Sequence, residues 1–320
     1  MLTIRLANNA VFESKGVHDI GVGVRVIKGN MLGFSSTADF SKNSLEKLVY
    51  TATSTAKARK LPFKYSFPKP GKISKISGIY DKKLATLPSE KAVELAYDMV
   101  ESSLACNKKI RDNAGVLNIV NFENLVLNTN GVSAKNMGTF FEASLSATAR
   151  SGGNVSEGSD ATAGRSLKEL KPKDVGEKAA EMAVSGLKSQ KLKEDTYTII
   201  LDYEPTQEIL GYITMLVDDP LMPNGVGSES ADEEGTPSKK QMIIDKGILK
   251  SFVYDSFYAA IEKKKTTGNA VRASFAVGVS SFPGKNYNAE PIPLLRNPHF
   301  KPGKWKREEI LEGQRRMLLQ

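Results

Sequence analysis

Four groups of residues have types and spacings that could do chemistry. Ser44-Leu45-Glu46-Lys47, at a predicted helix start, matches the Ser-x-x-Lys of serine acyl-transfer enzymes, and Lys265-Thr266-Thr267-Gly268 approximates their Lys-Thr-Gly. The second element has an extra Thr and lies outside a predicted strand, so Ser44 reads more simply as a first-turn helix residue. Asp232-Glu233-Glu234, with Asp218 and Asp219, could hold a divalent cation, but the run sits between Gly227 and Gly235 and reads as a solvated loop. Arg25, Asn269 and Arg272 are the better candidates for binding a peptide. Arg272 could clamp a carboxylate through two N–H donors, with a structural salt bridge as the competing reading. The two histidines, His18 and His299, are followed by Asp19 and Phe300 and read as surface or capping residues. A catalytic zinc needs three protein ligands plus a water.

Phosphate loops fit no better. Gly21-x-Gly23 is followed by Val26 where a dinucleotide loop needs its third Gly, and the glycines at Gly278 and Gly284 are one residue too far apart for a P-loop. The single cysteine, Cys106, has no internal partner. With Leu104, Ala105 and Met99 around it, it reads as a buried thiol on a helix in a reducing cytoplasm. The first sixteen residues contain no apolar core of signal-peptide length, and nowhere do about 18 apolar residues run together. That pattern predicts a soluble chain with no membrane partner. The 45 Lys and Arg against 36 Asp and Glu give a net charge of +9. These cations are scattered apart from Lys263-Lys264-Lys265 and residues 301–316, and no aromatic residues interleave them. Nucleic acid is therefore a weak expectation.

The positioning elements are set by periodicity. Residues 21–27 and 31–37 alternate around Lys28-Gly29-Asn30, which predicts a hairpin. Leu45, Leu48, Val49, Ala52 and Ala56 then share a helical face, with Ser41 or Ser44 as cap. Residues 60–80 carry Pro62, Pro68, Pro70 and Gly71 and read as a linker. Pro88 and Ser89 open a second helix with Val93, Ala96, Val100 and Leu104 as its buried stripe. From Gly115 the period becomes two, which predicts strands at 116–121 and 125–128, a turn at Asn130-Gly131 and a long strand at 135–150. In that strand Phe141, Ala143, Leu145, Ala147 and Ala149 face one way and Glu142, Ser144, Ser146 and Thr148 the other. Residues 151–159 read as a mobile Gly/Ser loop, 174–188 as a third helix, and 197–201 as a buried strand followed by a helix after Pro205.

The stretch 234–272 is the most distinctive. It joins a Gly-Thr-Pro-Ser turn to a hairpin in which Ile243, Ile244 and Ile248, Leu249 flank Asp245-Lys246-Gly247. A helix over 255–262 comes next, and then Thr-Thr-Gly-Asn-Ala-x-Arg, whose Gly268-Asn269 pair is expected to take positive φ. In this order, and with GVGVRVIKGNMLGFSST at 21–37, NTNGV at 128–132 and EPIPLLRNPHFKPG at 290–303, the chain resembles the TldD/PmbA family through nearly its whole length.

The resemblance implies an α+β fold in three segments. These are a hairpin-helix segment (1–70), a central helix and meander segment (85–190) forming one N-terminal domain with it, and a β-rich C-terminal domain (195–320). The family's peptidase subunit carries His-Glu-x-x-x-His on the helix after the 197–201 strand. Here residues 209–216 read ILGYITML, which sets Gly211, Tyr212 and Leu216 where the first His, the Glu and the second His would stand. The chain is thus similar to the metal-free PmbA/TldE-type subunit, with no cofactor of its own and zinc expected in its partner. The resemblance also implies a cytoplasmic heterodimer or larger assembly with a His-Glu-x-x-x-His subunit. In it, this chain would be a non-catalytic partner that completes a chamber for peptides or unfolded proteins. The alternative is a DNA-gyrase-modulating or nucleic-acid-binding protein, marked by a steep salt dependence of DNA affinity. The family continues in β-structure beyond the Pro-Gly turn, whereas residues 314–320 read as a helix tail. The C-terminal domain is therefore expected to be truncated, with an open sheet edge; an inert remnant is the third reading.

Overall fold

The structure is a computed structural model that describes residues 1–189, 193–195, 216–245, 247–274, 284–285 and 287–300. It opens with a hairpin that sequence reading missed, β1 (Leu2–Ala7) and β2 (Ala10–Gly16). Asn8 and Asn9 both take positive φ, 52° and 63°, in its two-residue turn, a conformation that Asn tolerates and that matches the twist of the flanking strands. The expected hairpin comes next as β3 (Val22–Lys28) and β4 (Met31–Thr37). Helix α1 (Lys42–Ala58) is capped by the Ser41 hydroxyl, which accepts from the Ser44 N–H, and buries Leu48, Ala52 and Ala56 but leaves Val49 exposed. Gly33 lets β4 approach this helix closely, since a Cβ there would lie 1.9 Å from the Ala52 carbonyl oxygen.

A short helix, α2 (Lys82–Ala85), leads to α3 (Ser89–Cys106). Three long strands then form a meander, β5 (Ile110–Leu127), β6 (Ser133–Ser151) and β7 (Asn154–Gly164), before α4 (Pro172–Gly186). The sheet runs β2-β1-β5-β6-β7, antiparallel throughout. Helices α3 and α4 cover one of its faces. Ile4, Leu117, Phe141 and Leu145 pack there against Ala96, Met99, Val100, Val175, Ala179 and Ala183. The period of two in β6 is borne out: Phe141, Ala143, Leu145, Ala147 and Ala149 are buried while the residues between them are half-buried.

Several expectations are corrected. The pattern over 116–128 is one continuous strand, because every residue from Asp112 to Leu127 keeps register with β6. Residues 151–159 are a tight turn and the start of β7, paired to β6, rather than a mobile loop. The buried stripe of α3 is Ala92, Ala96, Met99, Val100 and Ser103, and Leu104 is exposed. The stripe is rotated because α4 approaches so closely that a Cβ at Gly176 would sit 2.1 Å from the Met99 carbonyl oxygen; only small side chains fit that contact. Cys106, at the end of α3, is exposed instead of buried.

The later chain forms a four-stranded sheet in the order β10-β9-β8-β15, from β8 (Leu216–Asp218), β9 (Gln241–Asp245), β10 (Ile248–Leu249) and β15 (Pro298–Phe300). Two short separate ladders are also described: β11 (Ala270–Val271) with β14 (Ile292–Pro293), and β12 (Ala273–Ser274) with β13 (Gly284–Lys285). Gly247 in the β9–β10 turn has φ 76°, and helix α5 (Ser256–Ile261) starts on an Asp255 cap. Residues 60–80 are not a free linker, since Leu61 and Tyr65 are buried with Leu32 and pack against Phe257 and Ala260. The 197–201 strand, the helix after Pro205 and the basic stretch 301–316 lie outside the described residues.

Candidate functional site

The strongest polar constellation is built on the acidic run that reads from sequence as a solvated loop. Asp232, Glu233 and Glu234 are all at most 2% exposed. The turn that carries them closes on itself. Asp232 Oδ1 accepts from the N–H groups of Glu234 (3.0 Å) and Thr236 (2.8 Å), and Gly235 takes φ 78°, a conformation that favours glycine. Asp232 Oδ2 accepts from the Ala270 N–H at 3.1 Å, tying the turn to β11. The run is buried with each carboxylate turned toward donors from distant elements.

Glu234 is the centre. It accepts from Arg25 Nη2 at 2.6 Å, from both the N–H and the hydroxyl of Ser256 at 2.7 Å, and from the Tyr65 hydroxyl at 3.4 Å. Arg25 also donates to the Tyr65 oxygen at 3.1 Å and lies over the Phe67 ring. One carboxylate thus joins hairpin β3–β4, the Pro-rich segment and the start of α5. Asn269 uses both ends of its amide. Its Nδ2 donates to Asp218 Oδ2 at 2.7 Å and to the Leu294 carbonyl at 3.1 Å, while its Oδ1 accepts from Gln241 Nε2 and Thr267 Oγ1. Asp218 Oδ1 in turn accepts from the N–H groups of Arg296 and Asn297. The Arg272 N–H donates to Glu233 and its Nη1 to the Ala289 carbonyl, and its guanidinium stacks over Phe34. Arg296 pairs with Glu229 at 3.1 Å, both nearly inaccessible.

Burial dominates the electrostatics. It pushes the Asp232 carboxyl well above the usual range, with Glu234 adding to the rise. It likewise pushes Asp255 up to about 6 and Tyr65 up to about 12. For Arg25 burial works against the charge, but Glu234 beside it more than offsets that and the net direction is up. Arg272 moves down, through burial and the neighbouring Arg25. Such a site holds polar groups in fixed positions, with Asp232 and Glu234 met by backbone, hydroxyl and guanidinium donors.

The structure therefore brings Arg25, Asn269 and Arg272 into one network. Arg25 is engaged with Glu234 and Tyr65, and Asn269 is fully buried among partners from β8, β9 and the neighbouring loops. Sequence reading missed Tyr65, Ser256 and Arg296, and set Glu234 and Asp218 aside with a solvated acidic loop. An acidic run followed by a glycine and then by Thr-Pro-Ser was the available signal, since a turn that satisfies its own carboxylates can be buried. The remaining candidates are held by local bonds, Thr267 within the Asn269 network itself. The Ser44 hydroxyl donates to Asp39 at 2.6 Å, Thr267 bonds to Tyr254 and Asn269, and His299 Nδ1 lies 3.3 Å from the Asn297 carbonyl oxygen. Gly211 and Tyr212 lie outside the described residues. Leu216 opens strand β8, opposite Ile244 and Phe300, so the helix expected over 209–216 does not include it. Among the described residues no group of three His, Cys, Asp or Glu side chains is placed to hold a metal ion, and no helix is long and apolar enough to cross a membrane.

This α+β architecture is shared with a class of known proteins. Models of the PmbA/TldA metallopeptidase family match domain 1 at residues 1–56, the central domain at 82–187 and the C-terminal domain at 170–319. The chain belongs to the TldD/PmbA family. A metalloprotease TldD homolog of Buchnera aphidicola subsp. Acyrthosiphon pisum is 25% identical over 96% of this chain and 69% of its own length. A PmbA homolog of the same organism is 22% identical over 84% and 67%. Among solved structures, TldE from Thermococcus kodakarensis superposes with a TM-score of 0.80 at 20% identity, covering 97% of this chain and 74% of that one. A Thermotoga maritima protein described as a candidate modulator of a DNA gyrase gives 0.75 at 21%, over 98% and 74%. The chain spans about two thirds of the length of the curated relatives it matches.

Proposed function

We propose that this chain is the non-catalytic subunit of a TldD-type zinc metallopeptidase, acting beside a His-Glu-x-x-x-His partner to enclose peptides or unfolded segments. The observation that carries the reading is a mismatch between scaffold and chemistry. The chain has the family's three domain matches, yet its sequence holds only two histidines, and the zinc-motif positions inferred by resemblance are Gly211, Tyr212 and Leu216. Two imidazoles cannot supply the usual three-ligand catalytic zinc without carboxylate or thiolate help. The buried network fits a structural role within such an assembly, because it fixes the N-terminal hairpin against the C-terminal segment. The zinc and the hydrolytic step belong, on this reading, to the partner, in a cytoplasmic complex.

The test is native purification of the tagged chain from its own cells, with mass spectrometry of the co-purifying proteins and zinc analysis of the complex. A stoichiometric His-Glu-x-x-x-His homologue, with zinc present only when it is, is the expected result. Recovery of DNA or of a gyrase alone, with DNA affinity falling steeply with salt, would replace the subunit reading with the gyrase-modulator reading. For the peptide-facing role of Arg272, the complex carrying Arg272→Ala should bind a labelled peptide more weakly; unchanged binding removes Arg272 from the role.

A further inference from the structure

The β9–β10 hairpin ends the four-stranded sheet, and β10 is the outermost strand among the described residues. Its pairing sets the direction of its backbone groups. Ile248 stands opposite Asp245 and Leu249 opposite Ile244, and the next N–H, that of Lys250, donates to the Ile243 carbonyl at 2.8 Å. In an antiparallel pair the inward and outward groups alternate, so Leu249 directs its N–H and C=O away from β9, toward the open edge. The side chains there are unusual for a bare edge: Ile248 is 60% exposed, Leu249 51% and Phe252 60%. Natural sheets blunt such edges or use them to receive a strand.

Beside the edge lies a recess lined by Leu249, Phe252 and Tyr254 and by three ammonium groups, Lys250, Lys264 and Lys265. Lys264 is held in place, donating to the Tyr254 hydroxyl at 3.1 Å above that ring. Glu262 is the acidic neighbour that acts on it. Apolar contact, an open main-chain edge and a cationic wall occur together at one place.

We propose that this edge receives an extended, acidic segment of another protein by strand addition, with Leu249 supplying main-chain hydrogen bonds, Phe252 the apolar contact and Lys250 and Lys265 the charge selection. The inference does not depend on the subunit reading, because it needs no metallopeptidase partner.

The experiment is fluorescence anisotropy of the purified chain with a short labelled peptide of alternating Glu and Val. Controls are the Lys/Val counterpart, a backbone N-methylated Glu/Val peptide and a DNA duplex. The Glu/Val peptide should bind, more weakly as salt rises, and the Lys/Val and N-methylated peptides should not. Leu249→Pro removes only an outward N–H at an edge position, where proline is tolerated, and should weaken binding about tenfold, the worth of about one main-chain bond. Lys250→Glu with Lys265→Glu should abolish it, and circular dichroism melting identifies the folded variants to be compared. Equal binding of the Lys/Val peptide, indifference to Leu249→Pro in the folded variant, or no binding would overturn the proposal. DNA binding that persists in Leu249→Pro would assign the surface to a polyanion, and self-association lost on Phe252→Ser would assign it to a second copy; either also overturns it.

Discussion

Removing the charge of Glu234 tests the junction most directly. Its side chain is fully inaccessible and that of Arg25 is 8% exposed, at 2.6 Å, so solvent screens the pair little. Glu234→Gln keeps the shape but leaves the guanidinium with a neutral neighbour, and turns an amide NH2 toward Ser256 or Tyr65, both of which donate to Glu234. Removing one member of such a buried pair costs about 3–5 kcal/mol. In a chain of this size about 2 °C of Tm corresponds to each kcal/mol, so a fall of about 6–10 °C is expected in a thermal scan by circular dichroism. Replacing both partners, Arg25→Met with Glu234→Leu, should cost less than the sum of Arg25→Met and Glu234→Leu, with a coupling above about 2 kcal/mol. A Glu234→Gln protein melting with the parent, or strict additivity in the cycle, would refute the idea that this ion pair locks the hairpin to the C-terminal segment.

Other consequences are simpler to check. Burial raises Asp255 from its ordinary 3.8 to about 6; the folded form holds its proton more tightly, so this contribution to stability is complete below about pH 4 and is lost as pH rises through about 6. Asp255→Asn, which keeps a good helix cap, should flatten the fall in Tm over that window, and an unchanged pH profile would count against the assignment. Gly33→Val would drive a side chain into the backbone of α1 at Ala52 and should destabilise by about 1–3 kcal/mol, read as a lower urea midpoint; an unchanged midpoint would mean the hairpin can move off the helix. Cys106, exposed at the end of α3 with its thiol pushed up by burial and by Glu181 and Glu177, should take one maleimide in the native state, slowly at neutral pH and faster in alkali; no native labelling would restore the buried reading.

Local and periodic features were legible. The β3–β4 hairpin is announced by Gly29 between alternating residues, β9–β10 by Gly247 between pairs of apolar residues, and α1 by apolar spacing and a Ser cap; α4 and α5 also form close to their expected spans. The α3 helix was visible, but its stripe was misplaced. The face a helix buries there depends on how near α4 comes, and that is set by Gly176, which periodicity does not weigh. The β1–β2 hairpin was missed because its Asn8-Asn9 turn lacks the glycine that marks the other hairpins, and β2 is polar over Glu13 to Lys15. The site was half legible: Arg25, Asn269 and Arg272 were selected for their donors, but the acids that receive them were assigned to solvent. Charge runs are solvated by habit, and only long-range partners such as Tyr65 and Ser256 reverse that, which a local window does not contain.

Strand β6 belongs to two cores at once. From Phe141 to Ala149 it lines the helix-covered face, while Val132 and Ala134 pack on Ala231, and Asn136 donates to the Ala231 carbonyl and accepts from the Ser230 hydroxyl. At about 3.3 Å per residue, its 19 residues span about 60 Å without interruption, braced along that length by β5. It is a girder anchored at both ends. Bending it would break ladder pairs and unseat Asn136 together, so the central sheet and the acidic turn are coupled through one strand. A fragment cut after α4 would take Val132, Ala134 and Asn136 with it and strip the Ala231 turn of its covering. The contacts of Val132, Ala134 and Asn136 with the Ala231 turn thus cross the border between the central and C-terminal domain matches.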